Sequence, residues 1–337
     1  MTALLEIENL NVSFGEGSDA VQAVLGASLS IDPGQTLCLV GESGSGKSTI
    51  ALALMHLLPQ RAARVSAARI AFDGRSLLDA DEAELSKIRG HRLAMIFQDP
   101  MTSLNPVLTV GYQLSEAIRL HEPIGAQEAR RRSLRLLDQV RIADATSRLN
   151  SYPHQLSGGM RQRVMIAMAL ACNPKMLIAD EPTTALDVTV QAQILSLMIE
   201  LKRDTGAAVL FITHDLGVVA ETADQVAVMY AGRIVEQGAV SDIFDRPAHA
   251  YTAGLLNSML DPRDANRAER LTEIRGNIPR LARDPQGCSF APRCDLAVGD
   301  CSVGRLDRIT VAGRHETMCR RHADVAARFA TKGTAHA

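Results

Sequence analysis

A glycine-rich segment near the N-terminus has the residue types of a phosphate-binding loop. Residues 41–48 read Gly-Glu-Ser-Gly-Ser-Gly-Lys-Ser and fit the pattern G-x-x-x-x-G-K-[ST]. The apolar run Thr36 to Val40 precedes this phosphate loop as a predicted strand, and a predicted helix follows it. Glycines let successive N–H groups point at phosphate, Lys47 adds a positive charge, and the Ser48 hydroxyl binds Mg²⁺. We therefore expect a nucleoside triphosphate to contact Gly41, Ser43, Gly44, Ser45, Gly46, Lys47, Ser48 and Thr49.

Two adjacent carboxylates end a second predicted strand, which runs from Met176 to Ala179. In a parallel sheet, ligands collect at the carboxyl ends of the strands, where the phosphate loop also lies. Asp180 is therefore expected in the Mg²⁺ shell, and Glu181 is expected to orient or deprotonate the water that attacks the γ-phosphate. Taken alone, the same residues also fit a solvated turn beginning at Glu181.

Residues 156–163 predict a second anion-binding helix terminus. They read Leu-Ser-Gly-Gly-Met-Arg-Gln-Arg, and Ser157 is a suitable N-cap for the predicted helix that follows. The backbone amides and the helix dipole favour an anion there. Because the phosphate loop already supplies a complete site, this second terminus is expected to close on a triphosphate held by another subunit.

Residues 156–163 resemble the signature motif of ABC ATPases, and other landmarks follow in the order of that family. Gln98 resembles the glutamine that senses Mg²⁺ and water and links to the permease, residues 185–187 resemble the D-loop, and His214 resembles the switch histidine. Phe14 matches the aromatic residue that stacks on adenine. The resemblance covers about residues 4–245. It implies catalytic roles for Glu181, His214 and Gln98, Mg²⁺ binding by Ser48, Gln98 and Asp180, and nucleotide contacts from Phe14, Ser157, Gly158, Gly159 and Asp187.

Residues 98–111, Gln-Asp-Pro-Met-Thr-Ser-Leu-Asn-Pro-Val-Leu-Thr-Val-Gly, resemble the dipeptide, oligopeptide and nickel importers among ABC ATPases. Ala250 stands where that group usually has proline. The resemblance implies an ATP-hydrolysing motor subunit of an importer for dipeptides or oligopeptides. Its partners would be a second ABC ATPase subunit in a heterodimer, two permease subunits and an extracytoplasmic substrate-binding protein. A nickel importer ATPase, or an ABC ATPase that works without a permease, is the alternative.

Four of the six cysteines lie near the C-terminus, separated by five, six and seventeen residues: Cys288, Cys294, Cys301 and Cys319. Zinc fingers and ribbons usually begin with closer cysteines, so the spacing alone leaves an iron–sulfur cluster, zinc and reduced thiols as alternatives. The segment also resembles the C-terminal part of the peptide-importer ATPases, which implies that the four cysteines bind a [4Fe–4S] cluster. His315 is a possible substitute ligand but is expected at the surface.

The composition of the chain limits the classes of partner that it is expected to bind. The chain has 36 Lys and Arg against 38 Asp and Glu, and no Trp, which argues against a nucleic-acid binder. No apolar run has the length of a membrane-spanning helix, and the first ten residues do not resemble a signal peptide. We therefore expect a cytosolic chain that reaches the cytoplasmic face of the membrane through its permease.

The elements that must position these residues form an α/β protein. Strand–helix–strand order around residues 176–213 predicts a parallel sheet. The fold class is therefore a P-loop NTPase core of the ABC type with a mixed or parallel sheet, an inserted helical subdomain and a small cysteine-containing appendage. Expected boundaries are 1–245 for the nucleotide-binding domain with its helical subdomain at about 99–160, 246–275 for a linker, 276–322 for the cysteine region, and 323–337 for a tail that frays.

Overall fold

The computed structural model describes residues 2–17, 20–184, 186–258, 274–279 and 286–334. The strands are β1 Leu5–Phe14, β2 Val21–Ile31, β3 Thr36–Val40, β4 Ala63–Ser66, β5 Arg69–Phe72, β6 Arg75–Ser76, β7 Leu93–Ile96, β8 Met176–Asp180, β9 Ala208–Thr213, β10 Gln225–Tyr230, β11 Arg233–Ala239, β12 Ile309–Ala312 and β13 His315–Thr317. The α-helices are α1 Lys47–Leu54, α2 Glu82–Ile88, α3 Pro100–Ser103, α4 Val110–His121, α5 Ala126–Gln139, α6 Ala145–Arg148, α7 Gly158–Ala169, α8 Val188–Thr205, α9 Leu216–Thr222, α10 Val240–Asp245, α11 Ala250–Asn257 and α12 His322–Thr334.

The chain divides into two compact units that interleave in sequence. The first contains residues 1–4, 31–36 and 73–212, and the second contains residues 5–30, 37–72 and 213–337. The two units are defined by contacts within the folded chain. They therefore do not test the domain boundaries predicted from the motifs, which stay predictions. The expected linker at 246–275 contains helix α11, while residues 259–273 lie outside the described part of the chain.

In the first unit, β7, β8 and β9 form a parallel sheet in which β8 is central. Every residue of β7 and β8 is buried, as expected for parallel strands covered on both faces. Helix α7 packs against β7 and against helices α3, α4, α5 and α8. The helix that begins in residues 156–163 is therefore the centre of this unit's helical packing.

In the second unit, the described residues form strands of two sheets. One has the strand order β12-β13-β11-β10-β3, with β10 parallel to β3 and the pairs β10·β11, β11·β13 and β12·β13 antiparallel. The other is antiparallel where β1 pairs with β4 and β5, and β2 lies beside β1. The cysteine region thus supplies two strands, β12 at the edge and β13 between β12 and β11, to a sheet that also contains β3, the strand before the phosphate loop.

The mixed α/β class is confirmed, and β10 and β11 form an antiparallel hairpin. The stretch from residue 323, expected to fray, contains helix α12 as far as Thr334 and buries Val325, while its boundary stays a prediction. One expectation is wrong. His315, expected at the surface, is 2% exposed on β13. No helix in the described ranges combines the length and apolarity that crossing a membrane requires.

Candidate nucleotide site and cysteine cavity

The phosphate loop joins β3 to α1 in a conformation that requires glycine. Gly41 has a φ of 152° and Gly46 a φ of 105°, backbone regions that residues with a Cβ rarely adopt. A Cβ on Gly41 would lie 2.1 Å from the Met229 carbonyl oxygen, and one on Gly46 would lie 2.5 Å from the Ala23 carbonyl oxygen. Strand β10 and the segment around Ala23 therefore press on the loop from within the second unit.

Two buried side chains of the loop fit a phosphate ligand. The Ser45 hydroxyl is fully buried and has no hydrogen-bond partner among the described residues. Lys47 is 4% exposed, and its Nζ donates to the carbonyl oxygens of Gly41 at 2.8 Å and Glu42 at 3.0 Å. A buried hydroxyl without a partner is costly, and a buried ammonium requires anionic or carbonyl acceptors. The loop therefore presents groups that phosphate oxygens would satisfy.

In the first unit, Glu181 directly follows β8, and its carboxylate accepts two side-chain hydrogen bonds. Its backbone N–H donates to the Ile212 carbonyl at 2.9 Å, and its φ of 44° lies in the left-handed region. Gln98 Nε2 donates to Glu181 Oε2 at 3.1 Å, and Thr184 Oγ1 donates to the same oxygen at 3.0 Å. The structure thus brings together two of the predicted catalytic residues, Gln98 and Glu181. Thr184, which the sequence analysis missed, lies on the same carboxylate.

Asp180, one residue earlier, is the last residue of β8 and is 5% exposed. It pairs with Ile212 in the register of β8 and β9. A carboxylate at the carboxyl end of a buried parallel strand is the position that the sequence predicted for a Mg²⁺ ligand.

The glycines of residues 156–163 are fixed by packing against α8. Ser157 caps α7, since its hydroxyl accepts a hydrogen bond from the Met160 N–H at 3.3 Å. A Cβ on Gly159 would lie 2.8 Å from Val190 Cγ1. Asp187 in turn caps α8 by accepting from the Val190 N–H at 2.9 Å. Ser157 and Asp187 are therefore the N-caps of two helices, α7 and α8, that contact each other.

The remaining predicted nucleotide contacts lie in the second unit. Phe14 is the last residue of β1 and is half-buried. His214 is exposed between β9 and α9, where Asp215 caps the helix by accepting from the Gly217 N–H at 2.8 Å. Both residues lie at ends of strands, and their contacts with nucleotide stay predictions.

The cysteine region contacts the phosphate loop directly. Arg293 Nη1 donates to the Glu42 carboxylate at 3.0 Å, and the Glu42 N–H donates to the Tyr251 hydroxyl at 2.8 Å. Burial raises the pKa of Tyr251 well above its usual range, which keeps the hydroxyl protonated. The sequence analysis did not predict these contacts, because Arg293 and Tyr251 are 251 and 209 residues from Glu42 along the chain.

The four C-terminal cysteines line one cavity. Their thiols are free, and the wall also contains His249 and Phe290. Burial raises the pKa of Cys288, Cys294 and Cys319, in the last case to about 11. Thiolates there would need a bound cation, as metal ligands do. Within the described residues, no three His, Cys, Asp or Glu side chains converge on a point suited to a single metal ion.

A buried carboxylate lies behind this cavity. Glu236 accepts from His315 Nε2 at 2.8 Å and from the N–H groups of Ala248 and His249 at 2.6 and 2.9 Å. His315 therefore binds a carboxylate instead of lining the cavity as a substitute ligand. Burial lowers the pKa of His249 to about 4, so this imidazole is neutral; its Nδ1 accepts from the Tyr251 N–H, and its Nε2 is 3.9 Å from Cys288 Sγ.

Two family models match the chain. The model described as "ABC transporter" matches residues 24–184, and the model described as "Oligopeptide/dipeptide transporter, C-terminal region" matches residues 235–301. The first range contains the phosphate loop, Glu181 and residues 156–163. The second contains His249, Arg293 and three of the four cysteines that line the cavity.

The chain is similar to curated proteins over most of its length. It is 54% identical to a probable peptide ABC transporter ATP-binding protein of Sinorhizobium fredii, over 88% of this chain and 89% of the relative. It is 49% identical to a putative peptide import ATP-binding protein of Brucella abortus, over 96% of this chain and 98% of the relative.

Among solved structures, the ATP-binding cassette MJ0796 bound to ADP and Pi in a post-hydrolysis dimer matches with a TM-score of 0.62 and 28% identity, over 70% of this chain and 98% of that chain. The cbiO1 protein from Clostridium perfringens, part of the ABC transporter complex cbiONQ, matches with a TM-score of 0.60 and 29% identity, over 72% of this chain and 91% of that chain.

Proposed function

We propose, from the premise that this chain belongs to the ABC transporter family of ATPases, that it is the ATP-hydrolysing subunit of an importer for dipeptides or oligopeptides. The observation that carries the proposal is the occurrence, on one chain, of the ABC transporter match at residues 24–184 and the oligopeptide/dipeptide transporter match at residues 235–301. The relatives from Sinorhizobium fredii and Brucella abortus are named for peptide transport and peptide import, which supports the same cargo class.

In this proposal the phosphate loop binds the triphosphate of ATP. Lys47 exchanges its carbonyl acceptors in the loop for β- and γ-phosphate oxygens, and the Ser45 hydroxyl gains the partner that the described residues do not provide. Phe14 stacks on adenine. Ser48, Gln98 and Asp180 would hold Mg²⁺, which would neutralise phosphate charge when bound with ATP.

Glu181 is the proposed general base. Its carboxylate accepts a proton from water while the water oxygen bonds to the γ-phosphorus and the bond to the bridging oxygen of ADP breaks. Gln98 and Thr184 each donate a hydrogen bond to Oε2 and so orient the carboxylate. His214 contacts the γ-phosphate, and its position directly after β9 supports this role.

Hydrolysis requires a second subunit in this proposal. Ser157, Gly158 and Gly159 of one subunit close on the γ-phosphate held by the other, with Asp187 nearby at the start of α8. The capped N-terminus of α7 supports this role, because its amides and dipole favour an anion. ATP therefore holds two cassettes together, and loss of phosphate lets them separate. The partner is a second ABC ATPase chain in a heterodimer.

The cysteine region is proposed to hold a [4Fe–4S] cluster through Cys288, Cys294, Cys301 and Cys319. The donor set supports this, because four thiols outside any disulfide line one cavity, and cysteine thiolates are the ligands that hold such clusters. When bound, the cluster supplies a cationic core that deprotonates the thiols and links otherwise irregular loops. Finding four irons per chain in anaerobically purified protein would support the cluster. Finding stoichiometric zinc would contradict it.

We further propose that two permease subunits hold the chain at the cytoplasmic face of the membrane and that an extracytoplasmic binding protein delivers the peptide. Purification from detergent extract should recover the permease chains and the second ATPase. Adding peptide-loaded binding protein to the reconstituted complex should raise ATP hydrolysis, and recovery of no membrane protein would favour an ABC ATPase that works without a permease.

The hydrolytic role is tested with Glu181→Gln. Removing the base while keeping the side-chain shape should lower ATP turnover about 10²–10⁴-fold and leave ATP binding intact. The matched control is Glu200→Gln, which makes the same change on an exposed face of α8 where Glu200 pairs with Arg141. Turnover should stay within about twofold of wild type in the control. Wild-type turnover in Glu181→Gln would remove this residue from catalysis.

A further inference from the structure

Arg293 is a nearly buried arginine whose three guanidinium nitrogens each donate a hydrogen bond. Its side chain is 6% exposed. Nε donates to the Arg275 carbonyl at 2.8 Å, Nη2 to the Ile274 carbonyl at 2.9 Å, and Nη1 to Glu42 at 3.0 Å and to the Tyr230 hydroxyl at 3.3 Å. The fork of one side chain therefore joins three segments that are far apart in sequence.

Glu42 supplies the one carboxylate among these acceptors, and it is the second residue of the phosphate loop. Its carboxylate accepts from Arg293, its N–H donates to Tyr251, and its carbonyl accepts from Lys47 Nζ at 3.0 Å. The residue is thus held through side chain and backbone at once, and one of its partners is the lysine proposed to bind phosphate. A change at Arg293 therefore acts on the loop backbone itself.

Arg293 also lies against the wall of the cysteine cavity. It directly precedes Cys294, and its guanidinium lies 5.9 Å from the centre of the Phe290 ring and 5.7 Å from that of Tyr230. Phe290 lines the cavity and packs on Tyr251 with ring centres 5.4 Å apart. Repacking the cavity would therefore move the groups that hold Arg293 in place, because closely packed side chains transmit displacement.

We infer that Arg293 is a positioning residue for the phosphate loop, and that through Arg293 the packing of the cysteine cavity regulates nucleotide affinity. The inference rests on the proposed ATP-binding function. Its physical basis is preorganisation. A loop already held in its binding conformation loses less entropy when ATP binds. A buried guanidinium also keeps its carboxylate partner, because separating the two leaves a charge without compensation.

The first test measures nucleotide affinity of the full-length chain with a fluorescent ATP analogue. Arg293→Met keeps most of the apolar stem but removes the fork, and it should weaken binding about tenfold, raising KM for ATP with little change in kcat. Arg308→Met is the control, since Arg308 pairs with Glu316 of the same region at 3.1 Å, and its described contacts include neither the phosphate loop nor the lining of the cysteine cavity. The control should bind nucleotide within about twofold of wild type.

The outcomes separate this inference from the proposed function. A wild-type chain that binds no nucleotide would overturn the proposed function. Wild-type affinity in Arg293→Met, or equal losses in Arg293→Met and Arg308→Met, would overturn the inference alone. If Arg293→Met does not fold, Arg293→Lys answers the same question, because lysine keeps the charge but lacks the planar fork, and it should weaken binding about threefold.

A double-mutant cycle and a variant of the cavity test whether the cavity affects the phosphate loop through Arg293 and Glu42. Glu42→Gln combined with Arg293→Met should weaken binding little more than either change alone, and fully multiplicative losses would show that the two residues act separately. Cys294→Ala should weaken nucleotide binding severalfold in the wild-type background and have no further effect with Arg293→Met. Unchanged affinity in Cys294→Ala would overturn the regulatory link to the cavity.

Discussion

The phosphate loop and the cysteine region are both compact, irregular parts of the second unit, but different forces hold them. In the loop, Gly41 and Gly46 adopt conformations closed to other residues and lie against backbone carbonyls. In the cysteine region, buried polar side chains join distant segments, as Arg293 does with Glu42 and His315 does with Glu236. Steric exclusion by the carbonyls of Met229 and Ala23 therefore shapes the loop, and side-chain pairs hold the cysteine region, with the Arg293–Glu42 pair shared by both.

This difference teaches where each region is vulnerable. Adding one carbon atom should damage the loop, and losing one member of a buried pair should damage the cysteine region. Glu236→Ala and Gly46→Ala test this contrast, and two changes in the first unit, with smaller expected effects, follow them.

Removing the buried carboxylate behind the cavity should have the largest effect. Glu236→Ala leaves His315 and the N–H groups of Ala248 and His249 without their acceptor, which should lower the free energy of unfolding by about 3–5 kcal/mol. Urea unfolding followed by circular dichroism measures this. The control is Glu316→Gln, whose ion pair with Arg308 is partly exposed and should cost less than about 1 kcal/mol. Equal effects would contradict the contrast.

The next largest effect should come from one added methyl group in the loop. Gly46→Ala places a Cβ 2.5 Å from the Ala23 carbonyl oxygen at a φ of 105°, and the combined strain should cost roughly 2–4 kcal/mol. Nucleotide binding should fall by at least about tenfold, measured by titration. Gly206→Ala is the control, because its φ of 66° is also positive but no atom lies within 4 Å of the added Cβ. Normal ATP binding by the Gly46→Ala variant would show that glycine is dispensable at this position.

A similar steric test applies to the first unit. Gly159→Ala should lower the free energy of unfolding by about 1–3 kcal/mol, because its Cβ would overlap Val190 Cγ1. Adding Val190→Ala removes the overlapping methyl groups and should recover part of the loss in thermal unfolding. If the second change gives no recovery, contact with α8 is not what excludes a side chain from position 159.

The smallest effect should come from a partly exposed group. Burial, and secondly the neighbouring His91, lower the pKa of His121 below its usual value of 6.5. The two imidazole rings are stacked with their centres 5.5 Å apart. As pH falls through about 6.5, the unfolded chain therefore binds a proton before the folded chain does, and stability is lost. His121→Gln should flatten this acid side of the profile in urea unfolding at a series of pH values. A wild-type profile that rises on acidification would reverse the sign.

Local patterns predicted much of the candidate site. The phosphate loop, the strand that ends in Asp180 and Glu181, and the helix capped by Ser157 were each apparent within about ten residues of sequence, since turn, strand and cap preferences act over that distance. The hydrogen bond between Gln98 and Glu181 joins two such predictions. It could be expected from family order but not from either segment alone.

Sequence alone therefore determined the family, the phosphate-binding chemistry and the presence of four clustered cysteines, because glycine conformation, helix capping and strand patterning are local properties. Tertiary structure decided which polar groups meet. Arg293 and Glu42 are 251 residues apart in sequence, and His315 lost its expected place at the surface because β13 pairs with β11, which carries Glu236. Such pairs form where the folded chain buries two polar side chains together, and no short pattern in the sequence encodes that burial.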